Sequence, residues 1–200
     1  LYRTDRGQGY GQRFQLAELA EPERLATFLF LLSCPTLLGT DPALDSPVER
    51  LARRTDVAEE QITQAFYVFY RALRLDLFAQ LRRDNPPPVD ASAEAHAARL
   101  LEQVQKLLDR CLFICCCADL GLLPAKVLNQ ALTAKTGGFV PVTRWQQLCG
   151  LFDAVDQGRP ALRINAYNGG LFAKDPALEA LIVSDASLDG LRALADYDFE

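Results

Sequence analysis

Six cysteines and a single histidine are the side chains of this sequence best suited to hold a metal or to attack a carbonyl. Cys111 and Cys115 stand four apart, on one side of any helix that runs through them, and Cys115, Cys116 and Cys117 are consecutive. Metal sites usually draw four ligands from paired short spacings such as Cys-x-x-Cys. No such pair occurs here, so the cysteines are read as small core residues. Three in a row point in three directions on a helix, which argues against a disulfide framework. Reduced thiols in a cytosol are the simpler expectation. His96 lies near an expected helix start and is read as a surface residue. Ser–His–Asp catalysis would depend on it, and no Gly-x-Ser-x-Gly turn accompanies it.

Arginine supplies 17 of the 21 basic residues. Arg71, Arg74, Arg82 and Arg83, with Arg50, Arg53 and Arg54 before them, would line phosphates if they shared a face, because the guanidinium fork suits bidentate contacts. The first four are the candidate contacts to DNA phosphates. A net charge of −5 opposes this and favours a solvated face balanced by Glu49, Glu59, Glu60 and Asp76. Asn85-Pro86-Pro87-Pro88 has the outline of the Asn-Pro-Pro-Tyr/Phe element with which amino-group DNA methyltransferases hold a flipped base. Pro88 occupies the aromatic position and offers no stacking face, so the stretch is read as a helix-breaking linker. Metal-dependent nucleases of the common type need Asp/Glu-x-Lys. None of Lys106, Lys126, Lys135 and Lys174 has an acid two positions before it.

The elements that would position these residues are helical almost throughout. Half of the 200 residues are hydrophobic and about a quarter charged, enough for one domain with a sizeable core. No run is long enough to span a membrane and no secretory signal opens the chain. Methionine is absent and Leu1 stands first, from which a piece of a longer protein is expected. Residues 1–20 read as an arm or linker around Gly7, Gly9 and Gly11, with Phe14-Gln15-Leu16 as a short strand or a packed anchor. Gly-x-Gly-x-Gly lacks the preceding strand and following helix of a phosphate-binding loop. Pro22 opens a helix, and Ser46-Pro47-Val48-Glu49 has a cap, a first-turn proline and a reciprocal acid. That helix is expected to end near Thr55, with Asp56 capping the next. Ile62, Phe66, Phe69, Tyr70, Leu73, Leu77 and Leu81 then form one stripe, stopped by the prolines.

Ser92 starts a long helix whose final turns, Cys111 to Cys117, are apolar all round, as a central helix would be. Gly121 ends it. Further helices are expected over Val127 to Leu132, from a Thr143–Gln146 capping box through Val155, and in two short pieces near Ala177–Leu181 and Leu188–Leu194. Between them Tyr167-Asn168-Gly169-Gly170-Leu171-Phe172 marks a sharp, packed reversal. No acid, base or ligand set surrounds it, so it is read as a structural joint, with positive φ expected at the glycines. The fold class expected is mainly α: an irregular multi-helix bundle with a Gly-rich turn and a short C-terminal α/loop segment.

Two stretches together resemble the fused restriction–modification enzymes of type IIG, in which an endonuclease and an N6-adenine methyltransferase share one polypeptide, and the related adenine methyltransferases of phage-defence systems. The first runs from Leu108-Asp109-Arg110-Cys111-Leu112-Phe113 to Ala118-Asp119-Leu120-Gly121-Leu122-Leu123-Pro124. The second is Ile164-Asn165-Ala166-Tyr167-Asn168-Gly169-Gly170-Leu171-Phe172, with Asp196-Tyr197-Asp198-Phe199 beyond it. Leu120 departs from the family, which commonly has arginine there. The resemblance covers about the last half of the chain. It implies an all-helical connector over residues 21–160 between the nuclease and the methyltransferase, with residues 161–200 starting the link to the latter.

On the same ground the cofactor motifs would begin after Glu200. No catalytic, metal or cofactor residue carries over to this chain. S-adenosylmethionine belongs to the parent, whose site-specific adenine methylation accompanies or lacks cleavage. The implied partners are the adjacent catalytic domains and, through the parent, double-stranded DNA, in the cytoplasm and not at a membrane. A free-standing helical protein-interaction domain is the competing expectation, and a direct DNA-binding module a third.

Overall fold

The computed structural model describes residues 13–41, 44–90, 92–133, 142–167 and 169–197, without the side chains of residues 58 and 59. The chain is mainly α-helical, and no β-strand occurs among these residues. It divides into two compact units, Leu1–Gln64 and Ala65–Glu200.

In the first unit a 3₁₀ turn, Leu16–Ala20, precedes α1 (Pro22–Leu32) and α2 (Cys34–Leu38). Phe14 is the packed anchor of the two readings: its ring meets Phe28 edge-on at 5.3 Å and lies under the Arg24 guanidinium. Leu16 is exposed, and Gln15 caps the 3₁₀ turn. Pro22 occupies the first turn of α1 as its fixed φ favours. Leu31 is the single buried hydrophobic residue among those described in this unit, whereas Leu25, Leu29, Phe30 and Leu32 are exposed.

Ser46 opens α3 (Pro47–Asp84) by the expected reciprocal cap: Glu49 N–H donates to Ser46 Oγ at 3.2 Å and Ser46 N–H to Glu49 Oε2 at 2.7 Å. The expected break at Thr55 and Asp56 does not exist. The Thr55 hydroxyl donates to the Leu51 carbonyl one turn back, within the same helix. With neither Gly nor Pro nearby, nothing stops propagation. α3 continues until Asn85 and the prolines.

The second unit is organised around α4 (Ala93–Asp119), which Ser92 caps through the Ala95 N–H. Leu100, Val104, Leu107, Leu108, Cys111 and Ile114 of α4 are buried, with Leu73, Leu77 and Leu81 of α3 in the same core. Its C-terminus is a Schellman closure: Leu122 N–H reaches the Cys117 carbonyl, Gly121 N–H the Ala118 carbonyl, and Gly121 takes φ +70°. Then come α5 (Val127–Thr133), α6 (Arg144–Gln157), α7 (Pro176–Glu179) and α8 (Asp185–Ala195). Gly137, Gly138 and Pro141, expected breakers between α5 and α6, lie outside the described residues. Thr143 and Gln146 form the expected capping box of α6.

His96 is not a free surface residue. It is half-buried, and its Nε2 hydrogen-bonds the Asn85 carbonyl oxygen at 2.9 Å. Asn85 itself holds the backbone of Ile182 from both sides, donating Nδ2–H to its carbonyl at 2.8 Å and accepting its N–H at 2.9 Å. The carboxamide is thus spent on the fold, in agreement with the linker reading of Asn85–Pro88.

Candidate functional site

The segment Tyr167–Phe172 leaves the end of α6 and is fixed against α4. Gly158 ends α6 at φ +80°, and Arg159 and Ile164 pair back-to-back around a 3₁₀ turn, Pro160–Leu162. Tyr167 N–H then donates to the Val155 carbonyl at 2.9 Å, satisfying an acceptor that the helix end leaves open. α4 presents Lys106, Arg110 and Phe113 at steps of four and three, so all three reach the same segment.

Arg110 is the centre of this arrangement. It is 2% exposed, and it donates from Nε to the Leu171 carbonyl at 2.8 Å and from Nη2 to the Ala173 carbonyl at 2.7 Å. Its guanidinium carbon lies 5.2 Å from the centroid of Phe152 and 5.8 Å from that of Phe172, within range of cation–π attraction. Burial pulls its pKa below the ordinary arginine value, and Asp175 opposes that shift. Arginine's intrinsic basicity keeps it charged at neutral pH. Phe113 packs on Tyr167 with centroids 4.5 Å apart and on Phe172 at 5.4 Å, while Tyr167 meets Phe172 edge-on.

Lys106 pairs with Asp175, whose other carboxylate oxygen caps α7 through the N–H groups of Ala177 and Leu178. The hydrogen bond from Lys106 is the largest cause holding the Asp175 carboxyl below its ordinary value of 3.8, and the cap adds to it. A depressed carboxylate contributes stability above its unfolded value, and that contribution is lost as pH falls through the folded one. The urea midpoint is therefore expected to fall below about pH 4, and Asp175→Asn to flatten that slope while costing about 1 kcal/mol at neutral pH. Urea titrations from neutral to acid pH check this, and an unchanged acid slope in the variant would refute it.

The two glycines of the joint act differently. Gly170 has φ +78°, as expected, with open space where a Cβ would stand. Gly169 does not have positive φ, which corrects that expectation. A Cβ there would overlap the Tyr167 ring, so it is the close approach of an aromatic that requires glycine. Gly170→Ala should cost about 1 kcal/mol from backbone strain alone. Gly169→Ala should also loosen the Tyr167–Phe113 contact, visible as a change in near-ultraviolet circular dichroism that Gly170→Ala lacks. Asn168 lies outside the described residues.

The arginines proposed for phosphate do not form one patch. Arg74 is half-buried and donates to Gln105 Oε1 at 3.2 Å, within a network in which Gln105 also reaches the Tyr70 hydroxyl and Asp109. Arg71, Arg82 and Arg83 are exposed. Helical spacing puts Arg71 and Arg82 in line and turns Arg83 about 100° away.

Among the described residues, no group of three or more His, Cys, Asp or Glu is placed to hold a metal ion. No described helix is long and apolar enough to cross a membrane. Cys111 and Cys115 are buried core residues and Cys117 and Cys149 half-buried, whereas Cys34 and Cys116 are exposed, which corrects the core reading for those two. Burial pushes Cys115 up to about 12 and Cys149 up to about 11, and raises Cys111 further. Neutral buried thiols make poor nucleophiles. Among the described residues of the second unit, cavities of about 330, 250 and 80 Å³ open. The one of about 80 Å³ lies beside Arg110, Cys149 and Phe172, with Asp153, Asp156 and Glu179 also lining it.

The sequence reading located the joint but not its clamp. Arg110, Lys106 and Asp175 have partners 61 to 69 residues away. The one local signal was an arginine inside an otherwise apolar helical face, Leu107 to Ile114. The arrangement can hold a bend rigidly against a central helix. Comparison with protein-family models, with curated proteins and with solved structures finds no match for this chain.

Proposed function

We propose that this chain is a helical connector from a DNA restriction–modification enzyme, whose parent methylates adenine N6 with S-adenosylmethionine and joins that activity to an endonuclease. It acts by position, holding adjoining catalytic domains at a set separation along DNA in the cytoplasm. One observation supports this reading above the others. The two stretches that resemble the type IIG enzymes meet each other: Arg110 and Phe113 of the first grip Tyr167, Leu171 and Phe172 of the second. A buried grip of this kind suits a rigid mount between modules.

The test is twofold. The isolated chain is expected to show neither methyl transfer nor cleavage of duplex DNA, and activity in either assay would overturn a purely positional role. The reading frame after Glu200 should encode a glycine-rich cofactor motif followed by Asn-Pro-Pro-Tyr or Asn-Pro-Pro-Phe. A stop codon there would favour a free-standing helical interaction domain. That second reading draws on the exposed apolar residues Leu25, Leu29, Phe30 and Leu32 of α1, since a helix apolar on all sides usually has partners on all sides.

A further inference from the structure

The second unit's part of α3 carries two stripes. One, with Leu73, Leu77 and Leu81, enters the core. The other faces outward and is also apolar: Tyr67 is 62% exposed, Val68 67% and Leu75 54%. Arg71 and Arg82 belong to this outer stripe. Eleven residues bring the helix round by three turns and about 20°, so the two guanidinium groups stand in line roughly 16 Å apart along the axis, with Leu75 between them. No acidic residue of 65–84 falls on the stripe, because Asp76 and Asp84 lie on other sides. Neither Arg71 nor Arg82 makes an ion pair with a described residue.

We infer that this outer face of α3 docks an acidic amphipathic helix of a partner protein, with two carboxylates three turns apart meeting Arg71 and Arg82 and aliphatic residues covering Tyr67, Val68 and Leu75. Charge decides among the occupants. A second copy of this face, parallel or antiparallel, would set arginine against arginine, which disfavours self-pairing. Duplex DNA asks for a polar, strongly basic surface, whereas exposed Tyr67, Val68 and Leu75 share the stripe with these two cations in a chain of net charge −5. Tyr and Arg with few lysines is the composition of protein interfaces. Of this chain's own acids eleven apart, Glu49 bonds Ser46, and Asp185 and Asp196 meet Arg144, Arg192 and Asn129. The inference does not depend on the connector reading.

Two labelled synthetic amphipathic peptides, identical except for Glu or Lys at two positions eleven apart, provide the test by fluorescence anisotropy with the full chain. The Glu peptide should bind more tightly than the Lys peptide. The double variant Arg71→Glu/Arg82→Glu should lose affinity for the Glu peptide on the order of tenfold and prefer the Lys peptide. Leu75→Ala should weaken both without changing the preference. All three side chains are exposed, so thermal melting of the variants should match the parent chain. Equal binding of both peptides, binding of neither, or a charge reversal that abolishes binding of a duplex oligonucleotide while leaving the peptides unaffected would each overturn the proposal.

Discussion

Arg110→Ala is expected to lower the stability of the chain by about 3 kcal/mol. Two opposing effects set the size. The substitution relieves the cost of keeping a cation away from water without a carboxylate in direct contact, which alone would stabilise. Against that, the Leu171 and Ala173 carbonyls both lose their donor. Each partly buried acceptor left open costs about 1–3 kcal/mol, and the space between Phe152 and Phe172 becomes a void. Arg110→Lys separates charge from geometry: it keeps the cation but cannot reach two carbonyls in a planar fork, so it should recover less than half of the loss. Urea unfolding measures both, with amide exchange at residues 169–175 as the local readout. A loss confined to a few tenths of a kcal/mol, with unchanged exchange in the joint, would refute the clamp.

Phe172→Ala should have the larger effect, about 4 kcal/mol. Phe172 is 2% exposed and sits among three other rings, with centroids 5.4 Å from Phe113 and 5.9 Å from both Phe152 and Tyr167. Truncation removes the transfer energy of a whole ring and leaves a hole that backbone held by Arg110 cannot close. Phe172→Leu fills most of that volume and should cost about 1–2 kcal/mol. Because Arg110 also lies over this ring at 5.8 Å, the double variant Arg110→Ala/Phe172→Ala should lose less than the two single losses added together. Additive losses in the unfolding free energies would mean that the ring and the cation stabilise the joint independently.

These residues also mark where sequence reasoning reaches its limit. Helix ends at Ser46, Ser92 and Thr143 were legible because a cap and its partner lie three residues apart. The closure at Gly121 was legible for the same local reason. At Asp56 the local rule misled: an acid with Glu59 three residues on has the outline of a helix start, yet α3 runs straight through it. The stripe of α3 gave its buried side but not that Val68 and Leu75 would line a second one. The partners of Arg110 were invisible because periodicity identifies a face, not what covers it, and its acceptors are carbonyls more than sixty positions away. Gly169 and Gly170 look equivalent in the sequence. One needs its backbone freedom and the other only its missing side chain.

The bonds that join Asn85 to Ile182 span 97 residues, and Ser184 N–H donates to Asp84 across 100. Bringing such distant points together costs loop entropy, so this latch belongs among the last contacts to form. Contacts absent from the folding transition state act on the escape rate from the native state rather than on entry to it. Asn85→Ala should accordingly steepen neither arm of the chevron and leave refolding at its original speed, while unfolding becomes several-fold faster. In kinetic terms, the short polar side chain before three prolines is a timer on the lifetime of the folded second unit.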